Sequence, residues 1–345
     1  MRGLERLRRV VGLGGGTSEG GVLILLYHRV ATLKSDPWGL AVTPDRFAEH
    51  LEVLREYATP MKLGDLSVAL RNGRLPDRAV VLTFDDGYFD NLTNAKPLLE
   101  RYEVPATVFV ASGFIGQKRE FWWDELDRLV LQPGRLPDRV QLSVDGKTYQ
   151  WELGESADYT EEDFRCHRGW KAGKESQTPR QHLYTSVHDL LRTLSAGERR
   201  RKVAEVRSWR IDAPGRRPRH RPLSVEEIGT LQGGGLVEVG AHTVNHPLLS
   251  ELPVAQQRRE IRDSKARLEE ILGHPVSSFA YPYGNFQDYT VETVDQVRQA
   301  GFTCACSTFA DVVRSSSDPF QLPRIWVRNI SGERLEKRLG RWFED

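Results

Sequence analysis

Two adjacent carboxylates, Asp85 and Asp86, close the apolar run 79–84 and are followed at once by Gly87. Successive residues leaving a strand point to opposite faces, so one acid can ligate a metal while its neighbour handles protons, although Asp-Asp-Gly is also ordinary turn chemistry. A second run, 236–240, leads into Ala241-His242-Thr243-Val244-Asn245-His246-Pro247. Histidines four apart can meet one ion if the residues between them form a helical turn. The metalloprotease pattern His-Glu-x-x-His is not matched, since Thr243 stands where the glutamate would be. Two imidazoles plus a carboxylate would make a set with open positions, the kind that hydrolytic Zn²⁺ and related divalent ions use. A third run ends in Phe279-Ala280-Tyr281-Pro282-Tyr283-Gly284-Asn285, where Pro-Tyr-Gly turns the chain and exposes N–H groups. The first run ends in Tyr27-His28, a histidine with either a structural or a catalytic reading.

Positioning these groups falls to short apolar runs at 22–27, 79–84, 106–110, 236–240, 278–281, 302–307 and 322–327, separated by amphipathic stretches. Alternation of this kind indicates an α/β protein, and runs that are continuous rather than alternating indicate parallel strands covered on both faces. All four groups fall at C-terminal strand ends, where barrel and open α/β enzymes assemble their sites. Thr43-Pro44-Asp45 starts a helix carrying Phe47, Leu51 and Leu54, Ser224 with Glu227 makes a capping box, and 253–272 puts Ile261, Leu268 and Leu272 on one side. The stretch from about 117 to 222 breaks this rhythm, and over 198–222 it holds ten Lys or Arg against three acids. It reads as an insertion, either a solvated and partly disordered loop or a lid or collar that meets an anionic substrate or partner.

Composition narrows the classes. The 345 residues carry 49 basic and 48 acidic side chains with 9% aromatics, which argues against a nucleic-acid protein held by bulk positive charge. No stretch approaches the length needed to span a bilayer. Three cysteines cannot build a disulfide framework and suit a reducing compartment, while Cys304 and Cys306, two apart on an apolar run, read as core. Residues 1–20 form a basic arm, expected to be flexible, whose glycines do not make a secretory signal or a dinucleotide-binding loop; at most it could touch anionic lipid weakly. The expectation is a cytoplasmic protein.

Taken together, Thr83-Phe84-Asp85-Asp86-Gly87, His242-Thr-Val-Asn-His246 and Tyr281-Pro282-Tyr283-Gly284 resemble the polysaccharide deacetylase family, the carbohydrate esterases defined by the NodB homology domain. The resemblance covers about 21–117 and 222–327. It implies a distorted (β/α) barrel of seven or eight strands, a catalytic domain over 21–345 with the insertion inside it, and one divalent ion, usually zinc with Co²⁺ or Ni²⁺ as alternatives. It also implies removal of acetyl groups from N-acetylated sugars.

Carried over residue by residue, the resemblance makes Asp85 the catalytic base and Asp86, His242 and His246 the metal ligands. Tyr283 matches the residue whose backbone N–H helps hold the oxyanion. The leading Tyr27-His28 looks like the poly-N-acetylglucosamine deacetylase branch, which makes His28 the general acid. Two features depart from the pattern. Ala280 stands where the family usually has an arginine that orients the base, and Arg324 is the candidate substitute. No histidine follows Gly284, so the family's late Leu-x-His motif is missing and the case for His28 is stronger. Trp122, Trp123 and Tyr281 are the candidate substrate contacts, and Trp38 and Phe121 would join them if they line the cleft. The substrate is read as an N-acetylated glycan or sugar. The alternatives are a metal amidohydrolase for a small non-sugar amide and an inactive glycan-binding protein of the same fold.

Overall fold

The structure, a computed structural model, describes residues 21–212 and 215–344, so the basic arm lies outside the described residues. Seven parallel strands carry the fold: β1 (Val22–Tyr27), β2 (Ala79–Phe84), β3 (Ala106–Val110), β4 (Val237–Ala241), β5 (Ser278–Ala280), β6 (Cys304–Cys306) and β7 (Ile325–Trp326). They pair in the order β6-β5-β4-β3-β2-β1-β7, with a two-residue strand, Thr59–Pro60, added against β2. Leu322 bridges to Cys306 and β7 then pairs with β1, so the segment 322–326 reaches both edges and curls the sheet into the expected barrel. That last strand is shorter than the apolar run because Pro323 has no N–H to give and the Arg324 N–H goes to the Phe309 carbonyl.

Alternation sorts the strand side chains into two layers. Val22, Ile24, Ala79, Val81, Phe109, Ala280, Cys304 and Cys306 pack together as the barrel interior, whereas Leu23, Leu25 and Tyr27 face the surrounding helices. The interior is tight: a Cβ on Gly240 would come within 2.4 Å of the Phe109 ring. Outside, α1 (Pro44–Tyr57) begins as the sequence predicts, with the Thr43 side chain accepting the Arg46 N–H and Phe47, Leu51 and Leu54 buried.

The insertion is a folded cap, and the solvated-loop expectation is corrected. It contains α2 (Trp122–Val130), a hairpin of Arg139–Val144 and Lys147–Glu152, α3 (Pro179–Arg192) and α4 (Ala196–Ser208). Its own core joins Leu126, Leu129, Leu142, Leu183, Val187 and Val206. Abundant arginine disguised it, because several guanidiniums are structural. Arg180 is fully buried and donates to the carbonyls of Val130, Gly134, Ser156 and Ala157. Beyond the cap, α5 (Val225–Gln232) carries the predicted Ser224–Glu227 capping box, and α6 (Val254–Leu272) buries Ile261 and Leu268 while Leu272 is only partly covered. No described helix is long and apolar enough to cross a membrane.

Candidate active site

The C-terminal ends of the barrel strands and the cap helices α2 and α3 enclose a cleft of about 330 Å³. Register builds its floor. Tyr27 pairs with Phe84, which sets His28 beside Asp85, and the Asp85 N–H donates to the Tyr27 carbonyl at 3.0 Å. The inward column of β2, Ala79 and Val81, continues through Thr83 to Asp85. Asp86 then leaves the strand with φ 74° and Gly87 follows at 78°, so the adjacent carboxylates diverge.

Asp86 meets the two histidines. His242 Nδ1 lies 2.8 Å from the Ala280 carbonyl, a contact that requires the proton on Nδ1 and leaves Nε2 as a lone pair. That Nε2 is 3.7 Å from Asp86 Oδ1, and His246 Nε2 is 3.5 Å from the same oxygen, which has no hydrogen-bond partner. A carboxylate oxygen facing a lone pair at this distance calls for a cation between them. Metal bonds of about 2 Å to nitrogen and oxygen let donors so spaced reach one ion. The three donor atoms lie within 4.8 Å of one another and all three residues are buried, so the set fits a divalent metal. Burial holds both imidazoles below their usual range, and burial together with the charge of Asp85 pushes Asp86 well above its own.

The residues between the histidines do not form the expected helical turn. Thr243 and His246 sit at φ 62° and 50°, the Thr243 hydroxyl accepts the His246 N–H at 3.1 Å, and Glu260 of α6 accepts the N–H groups of Val244 and Asn245 at 2.9 and 2.8 Å. Pro247 disfavours right-handed helix at His246, and the acceptors from Thr243 and Glu260 fix the turn that forms instead. The turn still brings the two rings to 4.9 Å.

Arg324 reaches Asp85 in a two-point clamp, Nη1 to Oδ1 and Nη2 to Oδ2, both at 2.7 Å, while its Nε donates to the Ser307 carbonyl. Burial alone would raise the Asp85 pKa; Arg324 and His242 hold it below the usual carboxylate range. His28 lines the cleft with an unpartnered Nδ1, and burial pushes its imidazole down to about 4. Tyr283, at φ 60°, turns into the cleft 4.9 Å from the His246 ring, its carbonyl held by the Thr308 hydroxyl at 2.7 Å.

The aromatic expectations divide. Trp38 and Trp123 line the cleft, whereas Trp122, Tyr281 and Phe121 do not. Neighbouring helical residues are 100° apart, so Trp122 turns away from Trp123 into the cap core, against His188. Phe121 stacks behind Trp123 in that core. Tyr281 faces outward, stacked on Tyr289 at 4.1 Å with its hydroxyl donating to the Phe320 carbonyl. Sequence reasoning missed Trp326 and the cap residues His188 and Arg192, which also line the cleft. The latter two are four apart on α3, a helical spacing readable from sequence once the cap is known to fold. Arg192 lies 3.4 Å from Asp288 and over the Tyr283 ring.

A family model described as polysaccharide deacetylase matches residues 72–135 and 206–305. Over 140 residues the chain is 29% identical to YxkH of Bacillus subtilis, named for a polysaccharide deacetylase, covering 39% of this chain and 48% of that one. Over 88 residues it is 34% identical to the poly-beta-1,6-N-acetyl-D-glucosamine N-deacetylase of Escherichia coli K12, covering 25% of this chain and 13% of that one. The chain thus spans less than half the length of these curated relatives. The deacetylase PplD of Streptococcus pyogenes, solved in complex with acetate, has the same fold, with a TM-score of 0.58 at 18% identity over 93% of this chain and 99% of that one. The family match breaks off at 135 and resumes at 206, leaving most of the cap outside it and taking in both the strand tip of Asp85 and Asp86 and the turn of His242 and His246. Over those two segments the chain carries the domain that the polysaccharide deacetylase model describes.

Proposed function

We propose that this protein is a metal-dependent hydrolase that removes N-acetyl groups from an N-acetylated sugar, as a polymer or a glycan precursor, releasing acetate and a free amine. The observation that carries the reading is the buried Asp86, His242 and His246 group sharing one cleft with an arginine-clamped Asp85. An ion held by those three residues, read as Zn²⁺ with Co²⁺ or Ni²⁺ able to replace it, would polarise the acetamide carbonyl and acidify bound water. Asp85, kept ionised by Arg324, takes the proton of the attacking water. The leaving nitrogen needs one proton, and His28, beside Asp85 and uncharged at neutral pH, is the group able to carry it across. The Tyr283 N–H supports the developing oxyanion. Three indoles, Trp38, Trp123 and Trp326, line the cleft and favour a pyranose ring over a small non-sugar amide. The name of the Escherichia coli relative supports a poly-N-acetylglucosamine-type substrate.

The test pairs metal content by elemental mass spectrometry with acetate release from N-acetylglucosamine oligomers. Wild type and Asp85→Asn should each hold near one equivalent of transition metal, and His246→Ala should hold none. Acetate release should vanish in both variants, and His28→Ala should keep its metal while losing roughly 10²–10⁴-fold in turnover. Full activity in Asp85→Asn, or metal retained by His246→Ala, would sink the assignment.

A further inference from the structure

A second cavity, of about 210 Å³, opens on the cap and shares no lining residue with the cleft. Lys118, Arg119, Arg128, Arg207, Arg216 and Arg217 line it. Its two carboxylates, Glu120 and Glu125, are already saturated. Glu120 holds Arg128 at 3.1 Å and Arg217 at 3.0 Å, and Glu125 holds Arg128 at 3.1 Å and Arg207 at 2.7 Å. Six cations against these two acids and Asp127, which pairs with Arg217, leave a formal excess of three positive charges around one concavity. Lys118, Arg119 and Arg216 are exposed and form no ion pair among the described residues.

A charge excess of this size on a convex face would be spread and solvated. In a cavity the like charges converge, and convergence favours a polyvalent counter-ion. Guanidinium forks match phosphate oxygens two by two, which a single ammonium cannot do. The cavity is also held in shape from behind. Helix α2 turns Trp123 to the cleft and Glu125 and Arg128 to the cavity, and Arg217 is fixed to Asp127 at 2.6 Å. We infer that this cavity binds a phosphate-type polyvalent anion, either free, as phosphate or pyrophosphate, or carried as a lipid headgroup. This inference rests on the cap alone and is independent of the proposed reaction.

The experiment is calorimetric titration of the metal-loaded protein with inorganic pyrophosphate, repeated with Arg119→Ala/Arg216→Ala. Both side chains are exposed, so the variant should fold and release acetate as wild type does. Wild type should bind pyrophosphate with an affinity that falls steeply with salt, and the variant should bind at least about tenfold more weakly. Sedimentation with phosphatidylglycerol vesicles, set against phosphatidylcholine vesicles, identifies the source. Co-sedimentation lost in the variant supports the lipid source, and pyrophosphate binding without co-sedimentation supports the soluble one. Equal pyrophosphate affinity in wild type and variant, or binding to neither probe, overturns the inference.

Discussion

At the scale of single residues, the site depends on a carboxylate kept charged where burial disfavours charge. Asp85 is 3% exposed, and what keeps it ionised is a guanidinium that is itself fully buried and commits two further donors to Thr83 and Ser307. Replacing Arg324 by Met leaves burial opposed only by the neighbouring imidazoles of His242 and His28, so the Asp85 pKa rises. A carboxylate whose folded pKa is depressed stabilises the fold above its unfolded pKa and loses that contribution as pH falls; Arg324→Met removes it. The expected outcome is an acidic limb of the pH–activity profile displaced to higher pH, together with a loss of about 3–5 kcal/mol in urea unfolding, the usual cost of leaving a buried charge unpaired. A limb that stays in place would mean another group controls Asp85. The resemblance, with Ala280 in the place of the family's base-orienting arginine, offered Arg324 as the substitute, and the structure brings it across 239 residues to Asp85. The two-point geometry of that contact was not readable, since it depends on closure of the barrel.

At the scale of elements, the strand tips were legible and the turn between the two histidines was not. Apolar runs announce parallel strands, and acids or histidines just beyond them announce a site at the strand ends. The turn that carries His242 and His246 gives no such signal. Its Thr243 is a β-branched residue at φ 62°, a conformation costing of order 1–3 kcal/mol that persists only when neighbours enforce it. The enforcing neighbour comes from α6: Glu260 accepts both free N–H groups of the turn and, at 2.7 Å, the side-chain amide of Asn245. Glu260→Ala removes these acceptors without touching a ligand. Metal affinity, read by competition with a chelating dye, should fall roughly 10- to 100-fold, as when other supports of metal ligands are lost, with Glu260→Gln intermediate. Unchanged affinity in Glu260→Ala would show that the Thr243 hydroxyl holds the turn alone. The same limit hid the fates of Tyr281 and Trp122: Trp122 stands beside the cleft residue Trp123 and Tyr281 beside Ala280 of the barrel interior, and which of two neighbours faces inward follows from helix phase and strand parity.

At the scale of the whole molecule, the question is what couples the cap to the barrel. Arg29, just beyond β1 and 1% exposed, lies 2.9 Å from Asp90 at the barrel and 3.5 Å from Asp124 on α2 of the cap. From Asp124 the contacts run on to the cleft: the Tyr88 hydroxyl donates to Asp124 at 2.8 Å, the Trp123 indole donates to that hydroxyl at 2.7 Å, and the Trp123 ring lies 5.0 Å from His246. Even beside Arg29, burial pushes Asp124 up to about 6 and Asp90 above its usual range. In Arg29→Met both carboxyls lose the Arg29 charge, with Asp124 keeping that of Arg217, so their folded pKa values rise further while the unfolded values stay near 3.9. A group whose folded pKa is raised favours the fold at low pH and penalises it as pH climbs from the unfolded pKa toward the folded one. The stability deficit of Arg29→Met should therefore be small near pH 5 and grow toward pH 8, measured by urea unfolding at each pH. Hydrogen exchange should place the loss in α2 and the adjoining cap before the strands of the barrel. A deficit independent of pH would mean that Arg29 acts through packing on the Tyr88 ring, 4.3 Å away, and that the two acids are neutral in the native state. Loss spread evenly over cap and barrel would mean that the two unfold as one unit, with no separable tie at Arg29.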